Sequence, residues 1–111
     1  MLPASTVQHI SPAELAARLT QGEAIVLVDV REGWEWEVAH IEGARLFPLS
    51  DFARTGTELP ADAEIVLYCH HGVRSMAAAQ FLAARGFSRV SNLSGGIDRY
   101  SSEVDPHIPR Y

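Results

Sequence analysis

One heptapeptide concentrates the side chains that can do chemistry: CHHGVRS, residues 69–75, which begins with the only cysteine of the chain. An apolar, strand-like segment precedes Cys69 and an alanine-rich, helix-like segment follows it, so the heptapeptide turns the chain from a strand into a helix. Gly72 gives that turn its backbone freedom. Successive backbone N–H groups and the positive end of the helix then make an anion-binding loop.

Cys69 is the candidate nucleophile. A cysteine of ordinary pKa, about 8.5, is mostly protonated at neutral pH and needs its thiolate stabilised before it attacks efficiently. The loop N–H groups and the helix terminus favour the thiolate, and Arg74 can fork two hydrogen bonds to an oxyanion such as thiosulfate. The same donors suit a persulfide, whose outer sulfur is anionic. We therefore expect Cys69 to take a sulfane sulfur from a donor and pass it to cyanide or a thiol.

The simpler alternative is a buried, inert cysteine, which is the commoner role of a lone free thiol. That role does not explain why glycine, arginine and serine follow Cys69 at loop spacing. We predict Cys69 as the catalytic residue, and the rest of the loop as the substrate-binding set: His70, His71, Gly72, Val73, Arg74 and Ser75.

His70 and His71 are expected to line the mouth of the loop and to be partly protonated below neutral pH, which would favour anionic donors. Adjacent residues in a tight loop do not easily turn their ligand atoms to one ion. We therefore expect no metal, and no cofactor is implied by the residues.

Periodicity predicts the elements that position this loop. Buried strands are expected at residues 24–30 and 64–68 and a shorter strand at 89–93, because each is a continuous apolar or β-branched segment. A helix is predicted from an N-cap at Ser11 to about Leu19, and another over residues 75–85 that ends at Gly86. Met76, Ala79, Leu82 and Ala83 share one face of that second helix.

Weaker patterns predict a helix between residues 32 and 38, an extended piece at 45–47 and a helical turn that starts at Ser50. Strands that alternate with helices indicate an α/β fold with a mostly parallel sheet and right-handed crossovers. In such sheets, ligands bind at the carboxyl ends of the strands, which is where Cys69 lies.

Composition limits the function classes. A chain of 111 residues has the size of one domain, so we expect residues 1–111 to form a single domain. The net charge of −5, without a basic run, argues against nucleic acid. A single cysteine excludes an internal disulfide and the paired cysteines of a structural zinc site. With no signal peptide pattern and no apolar segment long enough for a bilayer, we expect a cytoplasmic protein with no membrane contact.

Four segments together resemble the single-domain rhodaneses. They are VDVRE (28–32), HIEGA (40–44), the heptapeptide at 69–75, and LSGGI (93–97), in the family's order along nearly the whole chain. The residues 104–111, VDPHIPRY, also resemble the tails of some bacterial members. The resemblance implies a rhodanese-like fold, with a five-stranded, mostly parallel sheet flanked by helices on both faces. It also implies a sulfurtransferase of the thiosulfate:cyanide type in which Cys69 carries the persulfide.

Two other functions stay open beside this one. Phosphatases related to rhodaneses use a loop with five residues between cysteine and arginine, whereas four separate Cys69 from Arg74. The shorter ring leaves room for one sulfur atom but not for a tetrahedral phosphoryl group. A sulfur-relay or partner-binding module without free thiosulfate turnover is the second alternative, with a protein as sulfur donor or acceptor.

The remaining polar and aromatic residues are predicted to be structural. His40 is expected to make a hydrogen bond, and Asp29 with Arg31 to order the end of a strand. Of Trp34 and Trp36, one is expected to pack in the core and the other at the surface.

Overall fold

A parallel sheet of five strands forms the centre of the computed structural model, which describes residues 6–111. The strands are β1 (Gln8–Ile10), β2 (Ile25–Asp29), β3 (Arg45–Leu46), β4 (Glu64–Tyr68) and β5 (Val90–Leu93). Their order is β1-β5-β4-β2-β3, with every neighbouring pair parallel. The helices are α1 (Pro12–Thr20), α2 (Gly33–Val38), α3 (Phe52–Thr55), α4 (Val73–Ala84) and α5 (Gly96–Glu103), and 3₁₀ turns at Leu49–Asp51 and Gly56–Glu58 flank α3.

Alternate residues of the central strand β4 face opposite sides of the sheet. Ile65 and Leu67 pack in one core with α3 and α4, whereas Val66 and Tyr68 pack in the other with α1 and α5. Both faces are therefore buried, which explains why the strand is a continuous apolar segment rather than an alternating one. The predicted α/β fold with helices on both faces is confirmed.

Local signals placed several elements correctly. Ser11 caps α1 by accepting a hydrogen bond from the Glu14 backbone N–H at 3.1 Å. Gly86 follows α4 at a φ of 91°, a left-handed conformation that suits glycine. Strand β4 has the predicted limits, and β2 is one residue shorter at each end than predicted.

Three expectations are corrected. Helix α4 begins at Val73 rather than at residue 75, so Val73 and Arg74 belong to its first turn. Its buried face comprises Ser75, Ala78, Ala79, Leu82 and Ala83, and Met76 is only half-buried. Strand β1 and helix α5 were not predicted: a three-residue strand is too short to show a pattern, and the eight-residue helix is polar on average.

None of the helices within residues 6–111 is both long and apolar enough to span a bilayer.

Candidate active site

Cys69 is the first residue after the central strand, at the carboxyl end of the sheet, and only 1% of it is exposed. Residues 69–75, here called the cysteine loop, carry the chain from β4 into the first turn of α4. Gly72 has a φ of 105° and stands at the N-cap of α4. The N-terminal end of a helix carries a partial positive charge, and this short turn places Cys69 beside that end of α4.

Two groups of the loop contact the sulfur directly. The Gly72 backbone N–H donates to Cys69 Sγ at 3.1 Å, and Ser75 Oγ lies 3.3 Å from the same atom. Ser75 Oγ also donates to Asn92 Oδ1 at 2.6 Å. A hydroxyl has one proton to donate. While the sulfur is a thiol, the Ser75 hydroxyl donates to Asn92 through the shorter bond, and it can rotate to donate to an anionic sulfur instead.

Asn92, on the neighbouring strand β5, fixes this side of the loop. Its side-chain amide accepts from Ser75 and donates to the Gly72 carbonyl at 3.0 Å. Asn92 is 6% exposed, and its amide binds both loop residues that contact the sulfur. A buried polar side chain in a strand is uncommon, and here both of its functions are satisfied.

Helix α5 is anchored to the loop through its backbone. The N–H groups of Ile97 and Asp98 donate to the carbonyls of Cys69 and His70, at 2.9 and 3.1 Å. This approach requires glycine at position 96, where φ is 63° and a Cβ atom would lie 2.5 Å from the Cys69 carbonyl oxygen. The double glycine that resembles the family's segment thus lets α5 dock on the loop.

Arg74, predicted to bind substrate, pairs with a protein carboxylate in the structure, and its role in substrate binding stays a prediction. Its guanidinium forks on the carboxylate of Glu35 in α2, with Nη1–Oε1 at 2.6 Å and Nη2–Oε2 at 2.8 Å. The fork that sequence reasoning assigned to a substrate oxyanion is thus taken by a protein carboxylate. Glu35 is 2% exposed, and its hydrogen bonds from Arg74 lower its pKa to about 2 against the opposing effect of burial.

Arg31 forms a buried ion pair with Asp29 and also binds the backbone of Glu35. Both members of the pair are fully buried, and the Arg31 guanidinium binds both carboxylate oxygens of Asp29 at 2.7–3.1 Å. Arg31 also donates to the backbone carbonyls of Glu35 and Ala39. These contacts fit the structural role predicted for Asp29 and Arg31.

The two histidines stack on each other at the mouth of the loop. Their ring centroids are 4.0 Å apart at 21°, and the other face of His70 lies on Tyr111, 4.0 Å away at 7°. Burial, and next the neighbouring His71, lower the pKa of His70 below its ordinary value of 6.5. Protonation of His70 is therefore shifted to lower pH, which weakens the expectation that the imidazole is partly protonated below neutral pH.

A model of the rhodanese-like domain family matches residues 11–103. The chain belongs to the rhodanese-like domain family. The resemblance drawn from the four segments is thereby confirmed.

Among curated relatives, the chain is 39% identical to the probable adenylyltransferase/sulfurtransferase MoeZ of Mycobacterium tuberculosis, over 92% of this chain but 26% of that protein. It is 31% identical to the thiosulfate sulfurtransferase GlpE of Shewanella oneidensis, over 86% of this chain and 94% of the relative. A crystal structure of a rhodanese-related protein from Thermoplasma volcanium superposes with a TM-score of 0.81 at 28% identity, covering 94% of this chain and 99% of that one. The chain thus spans about a quarter of the first relative and nearly all of the other two.

The rhodanese-like site contains partners that sequence reasoning missed. Glu35, Asn92 and Tyr111 touch loop residues, yet none lies in a segment singled out as chemical. Asn92 left one usable signal, an amide in a short strand that begins and ends with the apolar Val90 and Leu93. Glu35 was hidden because a glutamate in a short helix normally lies in solvent.

His70, His71 and Asp98 offer ligand atoms that all lie within 4.8 Å of one another. The geometry is poor for a metal, however, because an ion cannot lie in the planes of two stacked rings at once. The Asp98 carboxylate is also held by Arg110 at 3.0 and 3.1 Å. The absence of a metal stays a prediction.

The last structural assignments concern α2 and its surroundings. His40 Nδ1 lies 3.0 Å from the Trp36 carbonyl oxygen, and the two rings stack at 3.8 Å, which fits the structural role predicted for His40. Trp34 is 64% exposed and Trp36 half-buried. The expectation that one tryptophan lies in the core is therefore wrong.

Proposed function

We propose that this rhodanese-like chain is a sulfurtransferase that moves a sulfane sulfur from a small anionic donor, such as thiosulfate or a persulfide, to a thiophilic acceptor through a persulfide on Cys69. The observation that carries the proposal is the surroundings of Cys69 Sγ at the N-terminus of α4, where the Gly72 N–H donates to the sulfur and the Ser75 hydroxyl lies 3.3 Å from it. Both stabilise a negative sulfur, and neither is a general base.

The first half-reaction forms a sulfur–sulfur bond. The Cys69 thiolate attacks the sulfane sulfur of thiosulfate, the S–S bond of the donor breaks, and sulfite leaves with the bonding electron pair. The product is a cysteine persulfide whose outer sulfur is anionic. The loop N–H groups hold this charge, and the Ser75 hydroxyl can turn from Asn92 to the inner sulfur once the thiol proton has gone to solvent.

The second half-reaction discharges the sulfur. Cyanide attacks the outer sulfur to give thiocyanate, or a thiolate attacks it to give a new persulfide, and in both cases Cys69 leaves as the thiolate. The chain has no second cysteine. No internal thiol can therefore resolve the persulfide, and the acceptor comes from outside this chain.

Phosphoryl transfer is the less favoured chemistry. It needs an arginine free to clamp the phosphoryl oxygens, whereas Arg74 is forked on the buried Glu35. The loop is also one residue shorter than the phosphatase loop. A sulfur relay between proteins is the second candidate, favoured by the name of the MoeZ relative, which joins adenylyltransferase and sulfurtransferase.

The deciding experiment loads the protein with thiosulfate and looks by intact mass for one added sulfur atom. Cyanide is then added and thiocyanate is measured, with Cys69→Ser as the matched control. We expect an adduct and turnover that both vanish in the variant. An adduct from glutathione persulfide but not from thiosulfate supports the relay, whereas no adduct from either donor rejects the persulfide chemistry. Cys69-dependent hydrolysis of an aryl phosphate would favour a phosphatase.

A further inference from the structure

Tyr111 contacts one end of the cysteine loop directly and the other through Glu35, although it lies far from the loop in sequence. Its ring lies flat on His70, the residue next to Cys69, with centroids 4.0 Å apart and planes inclined by 7°. Trp34 packs edge-on against the same ring at 6.0 Å. Tyr111 therefore covers the flank of the loop on which His70 stands.

The Tyr111 hydroxyl reaches the other end of the loop through Glu35. It donates to Glu35 Oε2 at 2.7 Å and accepts from Arg31 Nη1 at 2.8 Å. Burial raises the pKa of Tyr111 to about 12, so the hydroxyl keeps its proton and remains a donor. The same Glu35 oxygen accepts from Arg74, in the first turn of α4.

We infer that Tyr111 is a positioning residue for the sulfur-transfer site: its ring fixes His70 at one end of the cysteine loop, and its hydroxyl fixes Glu35, and with it Arg74, at the other. This rests on the proposed function insofar as the loop holds a persulfide. Nothing requires Tyr111 to touch the sulfur. It acts through the two neighbours that define the shape of the loop.

The hydroxyl is not redundant with other contacts. Without the hydroxyl, the remaining hydrogen-bond partner of Arg31 Nη1 is the Glu35 carbonyl oxygen at 3.3 Å, and that of Glu35 Oε2 is Arg74. A buried charged group that loses a hydrogen bond is destabilised, and the carboxylate gains freedom to shift with Arg74. The loop should then open more often, and Cys69, which is 1% exposed, should become more accessible.

The test compares Tyr111→Phe, which keeps the ring and removes the hydroxyl, with Tyr111→Leu, which removes both. Arg110→Ala is the control, because it alters the same segment and breaks the pair with Asp98 but leaves the contacts of Tyr111 with His70 and Glu35 in place. We measure alkylation of Cys69 by iodoacetamide with intact mass, the rate of sulfur loading from thiosulfate, and thermal unfolding. Alkylation reports the loop whether or not the protein transfers sulfur.

We expect Cys69 to be alkylated about three- to tenfold faster in Tyr111→Phe than in the wild type, from one charge-assisted hydrogen bond lost. In Tyr111→Leu the rate should rise about a further threefold, from the lost stacking. Sulfur loading should slow in the same order, and Arg110→Ala should behave as the wild type in both assays. Because the hydroxyl acts through Glu35, Tyr111→Phe should add little in a Glu35→Gln background.

Wild-type alkylation and loading rates in folded Tyr111→Phe and Tyr111→Leu would overturn the inference. Equal effects of Arg110→Ala and Tyr111→Phe would also overturn it, since they would show a general effect of the segment. If Tyr111→Leu does not fold, Tyr111→Phe and the Glu35→Gln pair decide. A wild-type protein that loads no sulfur would reject the proposed function, while the alkylation series would still test the position of the loop.

Discussion

The two flanks of the cysteine loop are built on different principles. On the α2 flank, Glu35, Arg74, Arg31 and Tyr111 form a network of charged hydrogen bonds that does not touch the sulfur. On the β5 flank, neutral groups and backbone contacts hold the loop, and Asn92 binds the two loop residues, Gly72 and Ser75, that contact Cys69 Sγ. The charged hydrogen bonds thus fix the position of the loop without contacting the sulfur, and neutral groups lie next to the sulfur.

This division has a physical reason. A carboxylate beside the sulfur would repel the negative charge of the thiolate and of the persulfide. A forked ion pair can hold the loop in place without lying next to the sulfur. The neutral flank can approach the sulfur closely because glycine and a small hydroxyl need little space. Each flank therefore fails in a different way when a residue is changed.

We expect the largest loss of stability on the β5 flank, where the backbone of α5 lies closest to the cysteine loop. Gly96→Ala places a Cβ atom 2.5 Å from the Cys69 carbonyl oxygen at a φ of 63°, so α5 must move off the loop. We expect the free energy of unfolding to fall by about 3 kcal/mol in urea titration. The control Gly22→Ala has a φ of 74° but open space, and should lose about 1 kcal/mol. Equal losses would show that backbone strain, not the close approach, sets the cost.

The next effect lies on the α2 flank. Glu35→Ala removes the shared acceptor of Arg74 and Tyr111. Removing one member of a fully buried pair costs about 3–5 kcal/mol, but the Arg74 side chain is 36% exposed and water screens it, so we expect about 2 kcal/mol. Glu37→Ala, at an exposed site on the same helix, should change stability by less than about 0.5 kcal/mol. A loss below 1 kcal/mol for Glu35→Ala would mean that the charged network is not needed for folding.

Low pH should weaken the hydrogen bonds of the α2 flank by protonating Glu35. The pKa of Glu35 falls from 4.5 to about 2 on folding, chiefly through Arg74, so its contribution is complete above pH 4.5 and is lost as pH falls towards 2. The lowered pKa limits the contribution of ionised Glu35 to the free energy of unfolding to roughly 3 kcal/mol. Because water screens Arg74, we expect the loss of stability in acid to be about 1–2 kcal/mol. Between pH 5 and about 2.5, the stability of Glu35→Gln should fall less than that of the wild type. Parallel pH curves for the two proteins would contradict this assignment.

The cysteine loop itself was predictable from sequence, and little of the α2 flank was. A strand, a cysteine, a glycine and a helix follow one another within a few residues, so local signals place Cys69, Gly72 and Ser75 together. Glu35 and Tyr111 reach the loop only through tertiary packing, and no local pattern announces a buried glutamate. The pair between Arg74 and Glu35 was missed for the same reason, because the two residues lie on different elements.

The smallest stability effect, and the sharpest test of the division, concerns Asn92. Asn92→Ala leaves the Gly72 carbonyl and the Ser75 hydroxyl without their buried partner, which should cost about 1 kcal/mol in urea titration. Sulfur loading from thiosulfate should nevertheless slow more than in Glu35→Gln, because both groups on the sulfur lose their fixed orientation. Ser75→Ala removes the hydroxyl itself, so its effect on loading and that of Asn92→Ala should not add in the double variant. If Asn92→Ala loads sulfur at the wild-type rate while Glu35→Gln does not, the charged flank governs the chemistry and the assignment of the two flanks is reversed.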